Sequence, residues 1–271
     1  MSILLLVFIG VITGTTTVLF GFGGGFVTVP VLLWVGASAG ADAAVTAVAT
    51  SAVVMAVNAA VATAATPPAI LAELRGTSRL LGLLGLGGAF GAIAAANAPA
   101  ALIMWGFVAY LAVTILDTVA RPGFLRPRRM TANRSGSDAD AQRFAIPATL
   151  GAPIGALASF LGVGGSVMTV PLLRRAGMPM MTAAALANPL TLCVSVPALA
   201  VFLLTPHAAG SGGVLTFGAV DVGAAALMLA GSIPVVVIWR RRPPRLPDRL
   251  HAWGYVGLLG LVLAAVLTRA V

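Results

Sequence analysis

The sequence predicts an all-α, polytopic membrane protein, and three observations support this prediction. Apolar residues make up 59% of the 271-residue chain and charged residues only 8%, far below the quarter typical of a soluble domain. Apolar residues run continuously instead of alternating, which excludes a transmembrane β-barrel. Several stretches lack Asp, Glu, Lys and Arg and are longer than the roughly 20 residues that a helix needs to cross a bilayer. These stretches are residues 1–41, 43–72, 80–116, 144–173 and 176–220.

The first half of the chain, residues 1–116, divides into one broken segment and three spans. The broken segment runs over residues 3–35 and is interrupted at Gly21-Phe22-Gly23-Gly24-Gly25. Glycines weaken a helix by about 1 kcal/mol each, so this run predicts a break. Turn residues then separate the predicted spans. These spans cover residues 42–65, 80–97 and 99–116.

The second half, residues 144–271, follows a basic linker at 117–143 and repeats the same plan. Its broken segment covers residues 144–175, with the interruption at Gly162-Val163-Gly164-Gly165-Ser166. Three predicted spans follow, over residues 181–204, 217–238 and 250–270. Residues 21–32, GFGGGFVTVPVL, match residues 162–173, GVGGSVMTVPLL, at seven of twelve positions. Two repeated halves joined by a linker are typical of secondary transporters.

The placement of arginine predicts that the two halves are inverted. All sixteen basic residues are arginines, and the net charge is +9. Arginine-bearing loops are expected on the cytoplasmic side, which explains this charge without nucleic-acid binding. Arg174 and Arg175 end the second broken segment, whereas the end of the first and the loop after it have no arginine. Equivalent loops then face opposite sides, so each broken segment must enter and return as a re-entrant hairpin. Eight spans in parallel halves remain the alternative.

The glycine breaks are the candidate functional site. A break within the membrane must line a polar cavity, because unpaired amides are not tolerated in hydrocarbon. The short helix after each break presents unpaired amides and a partial positive charge, which attract anions. In inverted halves the two breaks would meet near the midplane. The alternative is that the glycines only allow close helix packing.

Eleven residues are the candidate substrate ligands. They combine the glycines of the breaks with nearby hydroxyl and amide side chains, which donate hydrogen bonds to oxyanions. They are Gly23, Gly24, Gly25, Thr28, Thr50, Ser51, Gly164, Gly165, Ser166, Thr169 and Asn188. Asn58 is instead interpreted as a helix–helix hydrogen-bonding residue. The carboxylates Asp117 and Asp221 are expected at solvated span ends. We expect no catalytic residue, metal or cofactor, because the spans hold no acid–base or ligand cluster.

The duplicated glycine motif, each copy followed by Pro30 or Pro171, resembles the signature of the sulfite exporter TauE/SafE family of bacterial membrane transporters. The resemblance extends over the whole chain in length, repeat plan and linker. It implies a multi-pass protein of the bacterial inner membrane that exports sulfite or organosulfonates such as sulfoacetate. Ala49-Thr50-Ser51 resembles a Gly-Thr-Ser element of the family, and we place Ala187-Asn188-Pro189 as its equivalent in the second half.

The preferred hypothesis is therefore a secondary transporter of a small anion by alternating access. An anion-selective channel and a non-transporting assembly factor are the alternatives. The expected partners are the anionic substrate, the lipid bilayer and a proton or sodium coupling ion, while a homodimer is one arrangement that the sequence leaves open. The sequence predicts no nucleic-acid partner.

Cysteine labelling tests the inverted topology. In intact cells a membrane-impermeant maleimide should label a cysteine introduced at Ser38 and should reach one at Ala176 only after the membrane is opened, because the two residues follow equivalent broken segments of opposite orientation. Equal labelling of both positions from one side would show that the halves are parallel.

Overall fold

The computed structural model describes residues 3–35, 43–125, 146–205, 216–242, 244 and 246–270. Ser38 and most of the predicted linker at 117–143 lie outside these ranges. Within them the chain forms eleven α-helices and one short antiparallel hairpin. Seven of the described helices are long and apolar enough to cross a membrane. The predicted all-α, polytopic membrane fold is therefore confirmed.

The first half contains the broken segment followed by three long helices. A short helix, α4, and a 3-10 turn at Ala72–Leu74 lie in the connection between α3 and α5. The helices are α1 (Ile3–Phe20), α2 (Gly25–Val35), α3 (Ala43–Ala64), α4 (Pro68–Leu71), α5 (Ser78–Ala96) and α6 (Ala100–Ala120).

The second half follows the same order after a 3-10 turn at Ala148–Leu150. Its helices are α7 (Gly151–Phe160), α8 (Ser166–Arg175), α9 (Met180–Leu204), α10 (Val222–Arg241) and α11 (Asp248–Ala270). The strands β1 (Thr216–Phe217) and β2 (Val220–Asp221) pair in a hairpin before α10. The span predicted at 217–238 was therefore placed too early, because Asp221 Oδ1 accepts a hydrogen bond from Ala224 N at 2.9 Å and caps α10.

Each half packs its broken segment against a long helix of the other half. Gly10 and Gly14 of α1 are so close to α10 that an added Cβ would lie 2.1 Å from Met228 O and 2.6 Å from Ser232 O, respectively. Because the contacting residue numbers rise together, α1 and α10 are parallel. Likewise, Cβ atoms on Gly151 and Gly155 would lie 2.9 Å and 2.2 Å from the carbonyl oxygens of Leu80 and Leu84. The helices α7 and α5 are therefore also parallel.

The second broken segment is a re-entrant hairpin. Its beginning lies beside the beginning of α5, and its last residue, Arg175, pairs with Asp117 near the end of α6. Only residues 97–99 separate α5 from α6, so these two spans must cross the bilayer in opposite directions. Both ends of residues 146–175 therefore lie on one face, which we call the arginine face.

The first broken segment is a re-entrant hairpin from the opposite face. Leu19 O, near the end of α1, contacts His251 Nε2 in the first turn of α11 at 2.6 Å. Trp34, near the end of α2, donates a hydrogen bond from Nε1 to Ala265 O, near the other end of α11, at 3.2 Å. The chain therefore reaches toward the start of α11 and then returns. The inverted arrangement is confirmed, and eight spans in parallel halves are excluded.

Arg174 holds the arginine face together although its side chain is completely buried. Its guanidinium pairs with Asp248 Oδ2 at 2.8 Å and donates to Phe124 O at 3.0 Å and to Met178 O at 3.0 Å. Asp248 Oδ1 also accepts from Met180 N at 2.7 Å. This cluster joins the end of α8 to the chain after α6 and to the starts of α9 and α11.

Arg174→Met should destabilise the protein by about 3 kcal/mol. This is the lower end of the range for a broken buried ion pair, because the Asp248 side chain remains 41% exposed. Thermal unfolding in detergent measures the effect, with Arg249→Gln, an exposed neighbour of Asp248, as the matched control. Equal unfolding midpoints for the two variants would contradict this role of Arg174.

Candidate anion site

The two glycine breaks adopt backbone conformations that only glycine enters easily. Gly21, Gly23 and Gly24 have φ values of 74°, 63° and 97°, and Gly162 and Gly164 have φ values of 67° and 70°. A residue with a Cβ is strained by roughly 1 to 2 kcal/mol in this left-handed region. The glycine motif therefore sets the path of the chain as well as its packing.

The two breaks lie against one another at the centre of the protein. A Cβ on Gly23 or on Gly164 would lie 2.9 Å from the same atom, Thr191 Cγ2. A Cβ on Gly25 would lie 2.6 Å from Gly162 O and 2.2 Å from Met55 Sδ. Met55 of α3 and Thr191 of α9 thus fill the space where the breaks meet. The structure shows the breaks closed upon each other.

Each break also rests on the central helix of the opposite half. A Cβ on Gly21 would lie 2.4 Å from Ala184 O of α9. Gly162 packs against α3 of the first half. There Ser51 Oγ donates to Gly162 O at 3.1 Å and to Val48 O at 2.7 Å. These reciprocal contacts connect the halves through the breaks themselves.

These contacts correct the predicted equivalence of α3 and α9. Gly21 contacts Ala184 and Ala187, whereas its counterpart Gly162 contacts Val48 and Ser51. Ser51 is therefore equivalent to Ala187, and Ala49-Thr50-Ser51 does not correspond to Ala187-Asn188-Pro189. The predicted alignment of α3 with α9 rested on the position of a tripeptide in the sequence. The contacts of each helix with the opposite break give an alignment that differs from it by two residues.

Two helix N-termini converge on this centre. In α2 the N–H groups of Val27 and Thr28 donate to Gly24 O at 3.3 and 3.1 Å. In α8 those of Met168 and Thr169 donate to Gly165 O at 3.2 and 2.9 Å. The preceding amides of each helix have no carbonyl one turn earlier to bond, and the helix dipole adds partial positive charge there.

Four of the predicted ligand side chains make structural hydrogen bonds. One is Asn188, whose Nδ2 donates to Ala184 O at 3.0 Å, and the other three are hydroxyls. Thr28 Oγ1 donates to Gly24 O at 2.9 Å, and Ser51 makes the bonds described above. Thr50 Oγ1 accepts from Asp221 N at 3.0 Å and so attaches the β1–β2 hairpin to α3. These hydroxyls stabilise the closed arrangement.

Several buried polar atoms in the same region lack a hydrogen-bond partner. Ser166 Oγ, Thr169 Oγ1 and Asn188 Oδ1, all from predicted ligands, are buried without a hydrogen bond. So are two atoms of residues that were not among the predicted ligands, Asn58 Nδ2 and Thr191 Oγ1. Leaving a buried polar group unpaired costs about 1 to 3 kcal/mol, so each of these atoms is a candidate for contact with a ligand or a water molecule.

Asn58 is the most informative residue that sequence reasoning set aside. Its Oδ1 accepts from Ser232 Oγ of α10 at 2.8 Å, which confirms the predicted helix–helix bond. Its Nδ2, however, has no partner and lies 3.0 Å from the position that a Cβ on Gly24 would occupy. The sequence signal for Asn58 was a side-chain amide in the middle of an apolar span. No comparable signal in the sequence marked Thr191 as a ligand.

The surroundings of the two breaks differ in chemistry. Next to Gly24 lie Asn58 and Thr13. At the equivalent Gly165, the nearest side chains are Val194 and Ile154, 3.6 and 3.8 Å from an added Cβ. The order of glycines and helices is repeated, but φ is 97° at Gly24 and −68° at Gly165, and among the described residues of the two breaks only the first has an unpaired amide donor beside it.

Comparison with known proteins gives one match. The family model described as "Sulfite exporter TauE/SafE" matches residues 6–266, which include both broken segments and all seven candidate spans apart from the outer ends of α1 and α11. No curated protein and no solved structure matches the chain.

Neighbouring glycines of the second break provide a matched pair of variants. Gly164→Ala should destabilise the protein and reduce transport, because Gly164 has a φ of 70° and its Cβ would lie 2.9 Å from Thr191 Cγ2. Gly165→Ala should be tolerated, because Gly165 has a φ of −68° and room for a Cβ. Thermal unfolding and anion flux check both outcomes. Equal losses of stability and of anion flux in the two variants would contradict the backbone conformations described for Gly164 and Gly165.

Proposed function

The chain belongs to the sulfite exporter TauE/SafE family of membrane transporters, and we propose that it exports small sulfur oxyanions or organosulfonates across the bacterial inner membrane by alternating access. Sulfite and sulfoacetate are representative substrates. The observation that carries this proposal is the meeting of two helix N-termini, one from each inverted half, beside buried donors that have no partner. No enzymatic activity is part of the proposal.

The proposed site binds the anion through dipoles and hydrogen bonds. Each helix N-terminus contributes about 0.3 to 1 kcal/mol when exposed and up to about 2 kcal/mol when partly buried. Asn58 Nδ2 and the Thr191 hydroxyl add charge-assisted hydrogen bonds of about 1.5 to 3 kcal/mol each. Because binding and immobilisation costs oppose these gains, we expect dissociation constants in roughly the micromolar to millimolar range. An affinity of this order permits release.

Transport requires the closed breaks to separate. The 2.6 Å distance between a Cβ on Gly25 and Gly162 O leaves no space for an oxyanion between them. The packing of α1 on α10 and of α7 on α5 couples each re-entrant hairpin to the opposite half. We infer that the hairpins move with these helices, so that the site opens to one face at a time.

Removal of the two unpaired donors tests the proposed ligands. In proteoliposomes, Asn58→Asp and Thr191→Val should each raise the KM for sulfite at least about tenfold, because each loses a charge-assisted hydrogen bond. The carboxylate that the first variant introduces can still accept from Ser232. Thr118→Val is the matched control, because the Thr118 hydroxyl bonds only to backbone carbonyls of its own helix.

Charge selectivity separates the proposal from its alternatives. Unlabelled methanesulfonate should compete for sulfite uptake, whereas its neutral isostere dimethyl sulfone should not. Flux should saturate and should depend on a proton or sodium gradient. Unsaturable current without a coupled ion would identify a channel, and the absence of any flux would favour an assembly factor.

A further inference from the structure

A cleft on the arginine face approaches the second glycine break. It has a volume of about 300 Å³ and lies between α6, α7 and α8. Its inner walls include Ile154 and Val167, and its mouth includes Asp117, Arg121 and Arg175. The function proposed above assigns no role to this cleft.

The inner end of the cleft adjoins the candidate anion site. Ile154 Cγ2 lies 3.8 Å from the position of a Cβ on Gly165, so it separates the cleft from the break by one side chain. Val167 belongs to the first turn of α8, and its carbonyl accepts from Tyr255 Oη at 2.8 Å. A ligand in the cleft would therefore lie next to the N-terminus of α8.

The mouth of the cleft carries an excess of positive charge. Asp117 pairs with both Arg121, at 3.1 Å, and Arg175. One carboxylate thus neutralises only one of the two guanidinium groups, and the three side chains keep a net charge of 2 − 1 = +1. Arg175 Nε is buried without a hydrogen-bond partner. Apolar walls of low dielectric concentrate the field of such charges along a cleft.

We propose that this cleft is the capture site at which the transported anion binds from the arginine face before it reaches the glycine breaks. The inference rests on the proposed function. The charged mouth and the apolar walls, which include Val113, Pro153 and Met168, fit a small organic anion with a single charged group and a short apolar body. A short alkanesulfonate has this chemistry, which the head of an anionic lipid shares.

A series of charge variants at the mouth tests the capture site. Asp117→Asn raises the local charge to +2, Arg121→Gln lowers it to zero and Arg121→Glu lowers it to −1. The Arg121 side chain is 72% exposed, so the last two variants should fold normally. Arg79→Gln is the matched control, because this exposed arginine removes the same charge and does not line the cleft.

The measured quantities are the dissociation constant and the KM for ethanesulfonate, with purified protein and with proteoliposomes of phosphatidylcholine alone. Each added positive charge at the mouth should lower both values about threefold, the effect of a unit charge several ångströms away in a solvated cleft. The differences should shrink in about 1 M salt. Phosphatidylglycerol gives the vesicles a negative surface potential that repels free anions, so it should raise the wild-type and Arg121→Glu values by the same factor if the ligand is the free anion.

Each outcome decides one part of the inference. Equal values for Arg121→Gln and Arg79→Gln in a protein that transports sulfite would overturn the capture site and leave the proposed function intact. Binding that follows the charge series without any flux would show that the cleft binds anions in a protein that does not transport them, and would overturn both the proposed function and the capture role. Inhibition by phosphatidylglycerol that disappears in Arg121→Glu would show that the cleft holds a lipid head, and would overturn capture of the free anion.

Discussion

The fold depends on one constraint: backbone amides freed by a helix break cannot face lipid, so the two glycine breaks must be covered by protein. The structure meets this constraint by placing the breaks against each other and against α3 and α9. A Cβ on Gly23 or on Gly164 would meet the same methyl group of Thr191, and a Cβ on Gly25 would meet Gly162 O. In the structure the two re-entrant hairpins reach this contact from opposite faces, in agreement with the inverted order of the halves.

The sequence predicted this framework because its determinants are local. Consecutive glycines mark the breaks, continuous apolar stretches mark the spans, and the reversed positions of arginine indicate the inversion. What the sequence could not predict depends on contacts between distant segments. Asp221 caps α10 and binds Thr50 across the chain, which moved the start of that span. Asn58 and Thr191 become candidate ligands only because packing leaves their polar atoms without partners.

The repeat is symmetric in helix order but differs in chemistry, and its backbone differs at one equivalent pair, Gly24 with a φ of 97° and Gly165 with a φ of −68°. Thr13 and Asn58 surround Gly24, whereas Ile154 and Val194 surround Gly165. Conversely, the unpaired hydroxyls of Ser166, Thr169 and Thr191 belong to the second half. An anion between the breaks would therefore meet an amide on one side and hydroxyls on the other. The arginine-face cleft ends beside Ile154, so the second break is the one nearest to the cleft.

The central claim is that an oxyanion binds where the two breaks meet, and anomalous diffraction tests it most directly. Selenite has the shape and charge of sulfite, and selenium scatters anomalously at an accessible X-ray edge. Crystals of the protein with selenite should show a selenium peak between Gly24 and Ser166, within hydrogen-bonding reach of Asn58 and Thr191, with Met55 displaced from Gly25. Crystals of a transport-active protein in which the breaks remain closed and selenium lies elsewhere would contradict the account.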